Sequence, residues 1–137
     1  MKAIVDTNVI AYYLLGTPSF AEEAGIFLRS AGVLLAPASW AAELATVVWM
    51  AIREGVLPEE EGPRRLHLAS RLQVRSVPVQ LLWQGALGRA IQGGLAVYDT
   101  LFVELATRRG LPLVTFDRRL LQAFPTLAHR PADFPKS

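Results

Sequence analysis

Ala3-Ile4-Val5-Asp6-Thr7-Asn8-Val9-Ile10 joins a strand, an acid and the start of a helix. The branched residues Ile4 and Val5 suit a short buried strand. From Val9 the apolar positions take helical spacing through Ile10, Tyr13 and Leu14, and they stop at Gly16-Thr17-Pro18. A strand feeding directly into a helix is the opening of a parallel α/β sheet. It also places Asp6 at the C-terminal end of a strand, where such sheets bind their ligands.

The same alternation continues. Ser19 and Glu22 match an S-x-x-E capping box, which predicts a helix through Phe20, Ala24, Phe27 and Leu28, closed by Gly32. Val33-Leu34-Leu35-Ala36 reads as a second strand covered on both faces. A helix over Trp40 to Glu54, stopped by Gly55, is apolar nearly all round and is expected to be buried on more than one side. Leu57-Pro58 leads into another helix, with Glu59-Glu60-Glu61 in its first turn and Gly62-Pro63 interrupting its start. Val74-Arg75-Ser76-Val77 is the third strand. Helices over Gln80–Ile91 and Val97–Arg109 follow, ended by Gly93-Gly94 and Gly110. Leu113-Val114-Thr115 is the fourth strand, Asp117–Ala123 a short helix, and Leu127-Ala128-His129 a candidate fifth strand. The expectation is one domain over residues 1–137, with a mostly parallel sheet of four or five strands and right-handed crossovers.

Composition narrows the class. The chain has 137 residues, 52% hydrophobic, which is enough for one core. With no cysteine, disulfides and thiolate metal sites are excluded, as suits a reducing cytoplasm. The early Asp6 does not suit a signal peptide, and no apolar run is long enough for a membrane span. The formal charge is +2, and nearly all the cations are arginines, which bind phosphate bidentately. Trp40, Trp49 and Trp83 lie in apolar helices and could reach an interface, although core burial is the expectation.

Four acids carry the chemistry. Asp6 and Asp117 follow apolar strands. Glu43 and Asp99 open apolar helices. Each alone reads as a cap or an acid placed for the helix dipole. Together they would converge on one crevice, where each pair of charges repels by roughly 4 kcal/mol at 4 Å and an effective dielectric of 20. A cluster of that kind implies a hard cation and metal-dependent phosphodiester chemistry. Asn8 and Thr115 would stand beside it as polar supports. Arg118 and Arg119 adjoin Asp117 and are candidate phosphate contacts for a nucleic-acid substrate, with Arg75, Arg89, Arg108 and Arg109 as further candidates. His67 and His129 read as structural or surface residues.

Ile4-Val5-Asp6-Thr7-Asn8-Val9-Ile10, Glu43, Tyr98-Asp99-Thr100-Leu101-Phe102-Val103-Glu104-Leu105-Ala106 and Leu113-Val114-Thr115-Phe116-Asp117-Arg118-Arg119-Leu120 together resemble the PIN-domain family. More narrowly, they resemble the VapC-type toxin ribonucleases of toxin–antitoxin pairs. The resemblance implies a three-layer α/β/α domain and an endoribonuclease using one or two Mg²⁺ or Mn²⁺ ions. It makes Asp6, Glu43 and Asp99 the metal-binding acids and Asp117 the more variable fourth. It further implies a homodimer and a small antitoxin partner. The alternatives within the family are a nuclease of RNA processing and a catalytically silent binding module. Phosphoaspartyl enzymes of the haloacid-dehalogenase type also begin with a strand-end Asp, but they require a second Asp where this chain has Asn8.

Overall fold

The computed structural model describes residues 1–134. At its centre lies β1 (Lys2–Val5), whose Ala3, Ile4 and Val5 are buried. On one side it pairs with β2 (Val33–Pro37), in the register Lys2–Val33, Ala3–Leu34 and Ile4–Leu35, and β2 pairs in turn with β3 (Arg75–Val77). On the other side β1 pairs with β4 (Leu113–Val114), through Ile4–Leu113 and Val5–Val114, and β4 pairs with β5 (Ala128–His129). Every pairing is parallel, and the order is β3-β2-β1-β4-β5. The chain steps outward from β1 to one edge, then crosses to β4 on the far side. That reversal opens a crevice at the C-terminal ends of β1 and β4.

Helices flank the sheet. α1 (Thr7–Leu15) packs with α2 (Ala21–Ser30), α3 (Trp40–Arg53) and α4 (Glu61–Ser70). α5 (Trp83–Gly93) packs on α6 (Val97–Arg109), and α6 lies across β1, β2 and β4. α7 (Arg118–Ala123) follows β4. Residues Thr100 to Ala106 of α6 are all buried, which explains why that helix is so apolar. Ile4, Val9, Ile10, Phe102, Val103 and Leu113 form the solvent-free centre of the core. Gly110 ends α6 in the left-handed region at φ 63°, with its N–H on the carbonyls of Ala106 and Thr107, and turns the chain into β4.

Several local expectations need correction. Ser19 does not cap α2: it sits at φ 74°, and the backbone N–H groups of Phe20 and Ala21 bond instead to the Thr17 carbonyl. Gly32 does not close α2 either, because the helix ends at Ser30 and Ala31 is extended. Gly32 is small for another reason, since a Cβ there would lie 3.0 Å from the Met1 carbonyl oxygen. α4 begins at Glu61, so Gly62 and Pro63 lie inside its first turn, where a missing N–H costs nothing. A 3₁₀ turn over Val79–Leu81 precedes α5, which starts at Trp83 rather than Gln80.

The expectation for α3 fails more instructively. It buries one face only, through Trp40, Leu44, Val48 and Ala51. Trp49 and Met50 remain 57% and 49% exposed. Trp83 is 50% exposed, so of the three tryptophans only Trp40 is a core residue. Among the described residues, no helix is long and apolar enough to cross a membrane.

Candidate active site

Asp6 leaves β1 pointing away from solvent, at 5% exposure. It occupies the N-cap position of α1, yet its carboxylate caps nothing. Thr115, just past β4, donates from Oγ1 to Asp6 Oδ2 at 2.8 Å. The same hydroxyl oxygen accepts from the Asp117 N–H at 2.9 Å. Asn8 adds a second tie. The Phe116 N–H donates to Asn8 Oδ1 at 3.2 Å, so the amide nitrogen faces Asp6 Oδ2 and Thr115 Oγ1, each at 3.4 Å. Asn8 and Thr115 thus hold the Asp6 carboxylate between them.

Glu43 and Asp99 enter from the first turns of α3 and α6. Glu43 is half-buried, and its Oε1 is out of contact with water and without a hydrogen-bond partner. Burial, together with the charge of Asp99, pushes the Glu43 carboxyl up to about 7. The Ser39 side chain opposes that rise, yet Ser39 Oγ completes no hydrogen bond with good geometry. Burial also raises Asp6 to about 7; the Thr115 bond opposes the rise, and the charges of Asp99, Glu43 and Asp117 add to it. Asp99 is raised by burial and by Asp117, and Arg119 partly offsets this. The four acids are thus one electrostatic unit.

Asp117 does two jobs. It caps α7, with Oδ1 accepting from the N–H groups of Arg119 at 2.8 Å and Leu120 at 3.3 Å. The cap uses Oδ1 alone, while the charge still acts on Asp6 and Asp99. Asp6, Glu43 and Asp99 line a cleft of about 330 Å³ with Thr7, Asn8, Ala11, Tyr12 and Val47.

The donor set fits a hard cation. Its atoms are oxygens, one of them a buried orphan, and their mutual repulsion would be relieved by positive charge. Among the described residues, no three carboxylate or imidazole groups close on a single point. The acids therefore rim the cleft without forming a finished cage, which suits an ion that keeps several of its waters.

The arginines divide into two groups. Arg118 and Arg119 are exposed at the start of α7. Arg89 and Arg108, by contrast, are bound to Glu104 at 2.9 and 2.6 Å. Arg89 anchors α5 to α6, Arg108 ties α6 to the turn before α5 through the Leu81 carbonyl, and both are poor candidates for binding RNA. Sequence reading missed Glu104, whose only local signal is Arg108 four residues on. His67 is exposed on α4 and His129 lies in β5, both outside the cleft.

Residues 3–124 match the family described as PIN domain. Ribonuclease VapC3 from Pyrobaculum aerophilum is 33% identical over 131 residues, spanning 93% of this chain and 98% of that protein. Three solved structures share the fold. VapBC2 from Rickettsia felis, bound to a DNA fragment from its promoter, aligns with a TM-score of 0.65 at 15% identity, over 95% of this chain and 98% of that one. A toxin–antitoxin complex from Klebsiella pneumoniae gives 0.69 at 16% identity, over 96% and 99%. FitAcB from Neisseria gonorrhoeae gives 0.63 at 22%, over 96% and 98%.

Proposed function

The chain belongs to the PIN-domain family, and from that premise we propose that it is a divalent-metal-dependent endoribonuclease, the toxin of a VapBC-type pair. The observation that carries this reading is the buried, non-capping Asp6, fixed by Thr115 and Asn8 and coupled to Glu43, Asp99 and Asp117. A helix cap would expose its carboxylate to the first N–H groups of α1. This one turns instead to Thr115 and Asn8, within reach of the charges of the other acids.

Asp6, Glu43 and Asp99 would hold one or two Mg²⁺ or Mn²⁺ ions, with Asp117 as a fourth acid. A bound ion of this kind supplies Lewis acidity, lowering the pKa of a coordinated water and drawing charge off the phosphate. The protein's own part is orientation. Thr115 and Asn8 fix the Asp6 oxygen, and the Asp117 cap fixes the start of α7. Arg118 and Arg119 stand where they can meet the phosphates of an incoming strand. The complete acidic set favours catalysis over a silent binding module.

The relatives named as toxin–antitoxin complexes support a small antitoxin protein as partner. The exposed apolar surfaces support assembly, including a homodimer. Trp83, Leu87 and Val97 line an apolar groove of about 350 Å³ with Gln84, and Trp49 and Met50 stand on the open face of α3. The setting would be the cytoplasm, where RNA and antitoxin are found together. Purified protein is expected to cleave RNA in Mn²⁺ or Mg²⁺ and to stop in EDTA. Cleavage that continues undiminished in EDTA would refute the reading. For assembly, light scattering at the 15.0 kDa of one chain would refute the dimer.

A further inference from the structure

The lining of the acidic cleft includes one aromatic ring, backed by two more. Tyr12 lines the cleft on the same side as Thr7 and Ala11. Its ring stacks on Phe20, with centroids 4.6 Å apart and planes inclined by 17°. Phe116 closes on both rings edge-on, at 5.4 Å from Tyr12 and 5.1 Å from Phe20. Behind them the Arg130 guanidinium lies 5.1 Å from the Phe116 centroid and 5.9 Å from that of Phe20. Glu23 fixes Arg130 in turn, through Oε1 at 2.8 Å and Oε2 at 3.3 Å. Arg130 lies beyond residues 3–124, which match the family.

Such a cluster exceeds what the core needs, since all three rings are only partly buried. A second feature points to a ligand. Thr7 is 4% exposed and lines the cleft, yet its Oγ1 has no hydrogen-bond partner. A buried hydroxyl left unpaired is costly, and binding a polar edge there would recover that cost. An apolar π surface, an orphan hydroxyl and acids that would hold a cation for the phosphate share one cleft, one for each part of a nucleotide.

We infer that Tyr12, clamped by Phe20 and Phe116, stacks the nucleobase adjoining the phosphate that is cut, while Thr7 Oγ1 bonds a polar edge of the same nucleotide. The inference rests on the ribonuclease reading above. Single-stranded RNA is read by bases splayed onto aromatic side chains. The platform is braced before the substrate arrives, so little order is lost on binding. The subsite makes cleavage depend on the presence of a base at one flanking position.

The test is a single-stranded RNA oligonucleotide with one mapped cleavage site and a series of derivatives, each with one abasic position. For the wild type, one flanking abasic position should raise KM by about tenfold with kcat nearly unchanged. Tyr12→Leu should raise KM for the intact strand and shrink the abasic penalty below about twofold, while Tyr12→Phe keeps it. If Tyr12→Leu does not fold, the near-isosteric Thr7→Val decides: KM should rise several-fold, and Thr7→Ser should restore it. Cleavage with no base-dependent position, or a penalty that survives in Tyr12→Leu, overturns the subsite and leaves the nuclease reading intact. If the wild type cleaves nothing, the nuclease reading falls, and fluorescence anisotropy with the same strands decides the subsite. An abasic loss of affinity that depends on Tyr12 keeps it, and none ends it.

Discussion

Thr115 Oγ1 donates to Asp6 Oδ2 at 2.8 Å, bridging the ends of β4 and β1 across 109 positions of sequence. The bond works against burial and three neighbouring acids, all of which raise the Asp6 carboxyl. Thr115→Val removes it at nearly constant volume, and a hydrogen bond to a charged group is worth about 1.5–3 kcal/mol. The Asp6 carboxyl should then rise further above its present value of about 7. In metal-free protein the pH profile of stability should extend upward by roughly one pH unit, and Thr115→Ser should return it. A profile that does not move would show that Asp6 is oriented by other groups.

The four acids should not be equal. Asp6→Asn, Glu43→Gln and Asp99→Asn each remove a charge from the cleft wall, and each should abolish metal-dependent cleavage while leaving the far-UV circular dichroism unchanged. Asp117→Asn keeps an oxygen able to cap α7, so the smallest loss is expected there. Equal loss at all four positions would contradict this ranking. Single-turnover cleavage in saturating Mn²⁺ measures it directly.

Without metal, the acidic cleft should cost stability at neutral pH. Asp6 has an ordinary pKa of 3.8, and the fold raises it to about 7. Glu43 moves from 4.5 to about 7. Between these limits the folded protein holds protons that the unfolded chain has released, so stability falls as pH rises through the window. For Asp6 the full effect is on the order of 4 kcal/mol. Glu23 and Glu104 are lowered from 4.5 by their arginine partners, so they act with the opposite sign, on the acid side of the ordinary glutamate value. Urea midpoints measured in EDTA should therefore be higher at pH 5 than at pH 8. Asp6→Asn should flatten that slope, and Mn²⁺ should restore the wild type at pH 8.

Local chemistry made much of this fold legible. α6 runs from Val97 to Arg109 as its pattern predicts, because Gly110 can take the left-handed conformation that stops it. Asp6 and Thr115 were readable as strand-end residues because each ends an apolar run. Their mutual bond was not, since it depends on β1 and β4 being neighbours, and strand order is set by crossovers with no local signature. Ser19 misled because the capping-box motif specifies residue types and not the backbone conformation they adopt. The all-round apolarity of α3 misled for another reason: its outer face, with Trp49 and Met50, is apolar without being core. Exposed apolar residues and buried ones look alike in composition.

Glu104 gives the sharpest stability test, because its packing involves three other residues. Its carboxylate binds Arg89 Nε at 2.9 Å and Arg108 Nε at 2.6 Å, and Arg108 also donates to the Leu81 carbonyl. Gly85 on α5 passes so close that a Cβ there would fall 2.3 Å from the Glu104 carboxyl carbon. Gly85→Ala must displace a carboxylate that two arginines hold in place, at a cost of about 1–3 kcal/mol, typical of overpacking. Glu104→Gln should cost about 1–2 kcal/mol, since both arginines are partly exposed and can turn to water. In Glu104→Ala the obstacle at position 85 is gone. The two changes should therefore be strongly non-additive, and Gly85→Ala should be nearly free, or stabilising through helix propensity, in that background. Chemical denaturation of the wild type, both single variants and the double variant measures the coupling. Simple additivity would mean that α5 and α6 accommodate the extra methyl by shifting apart.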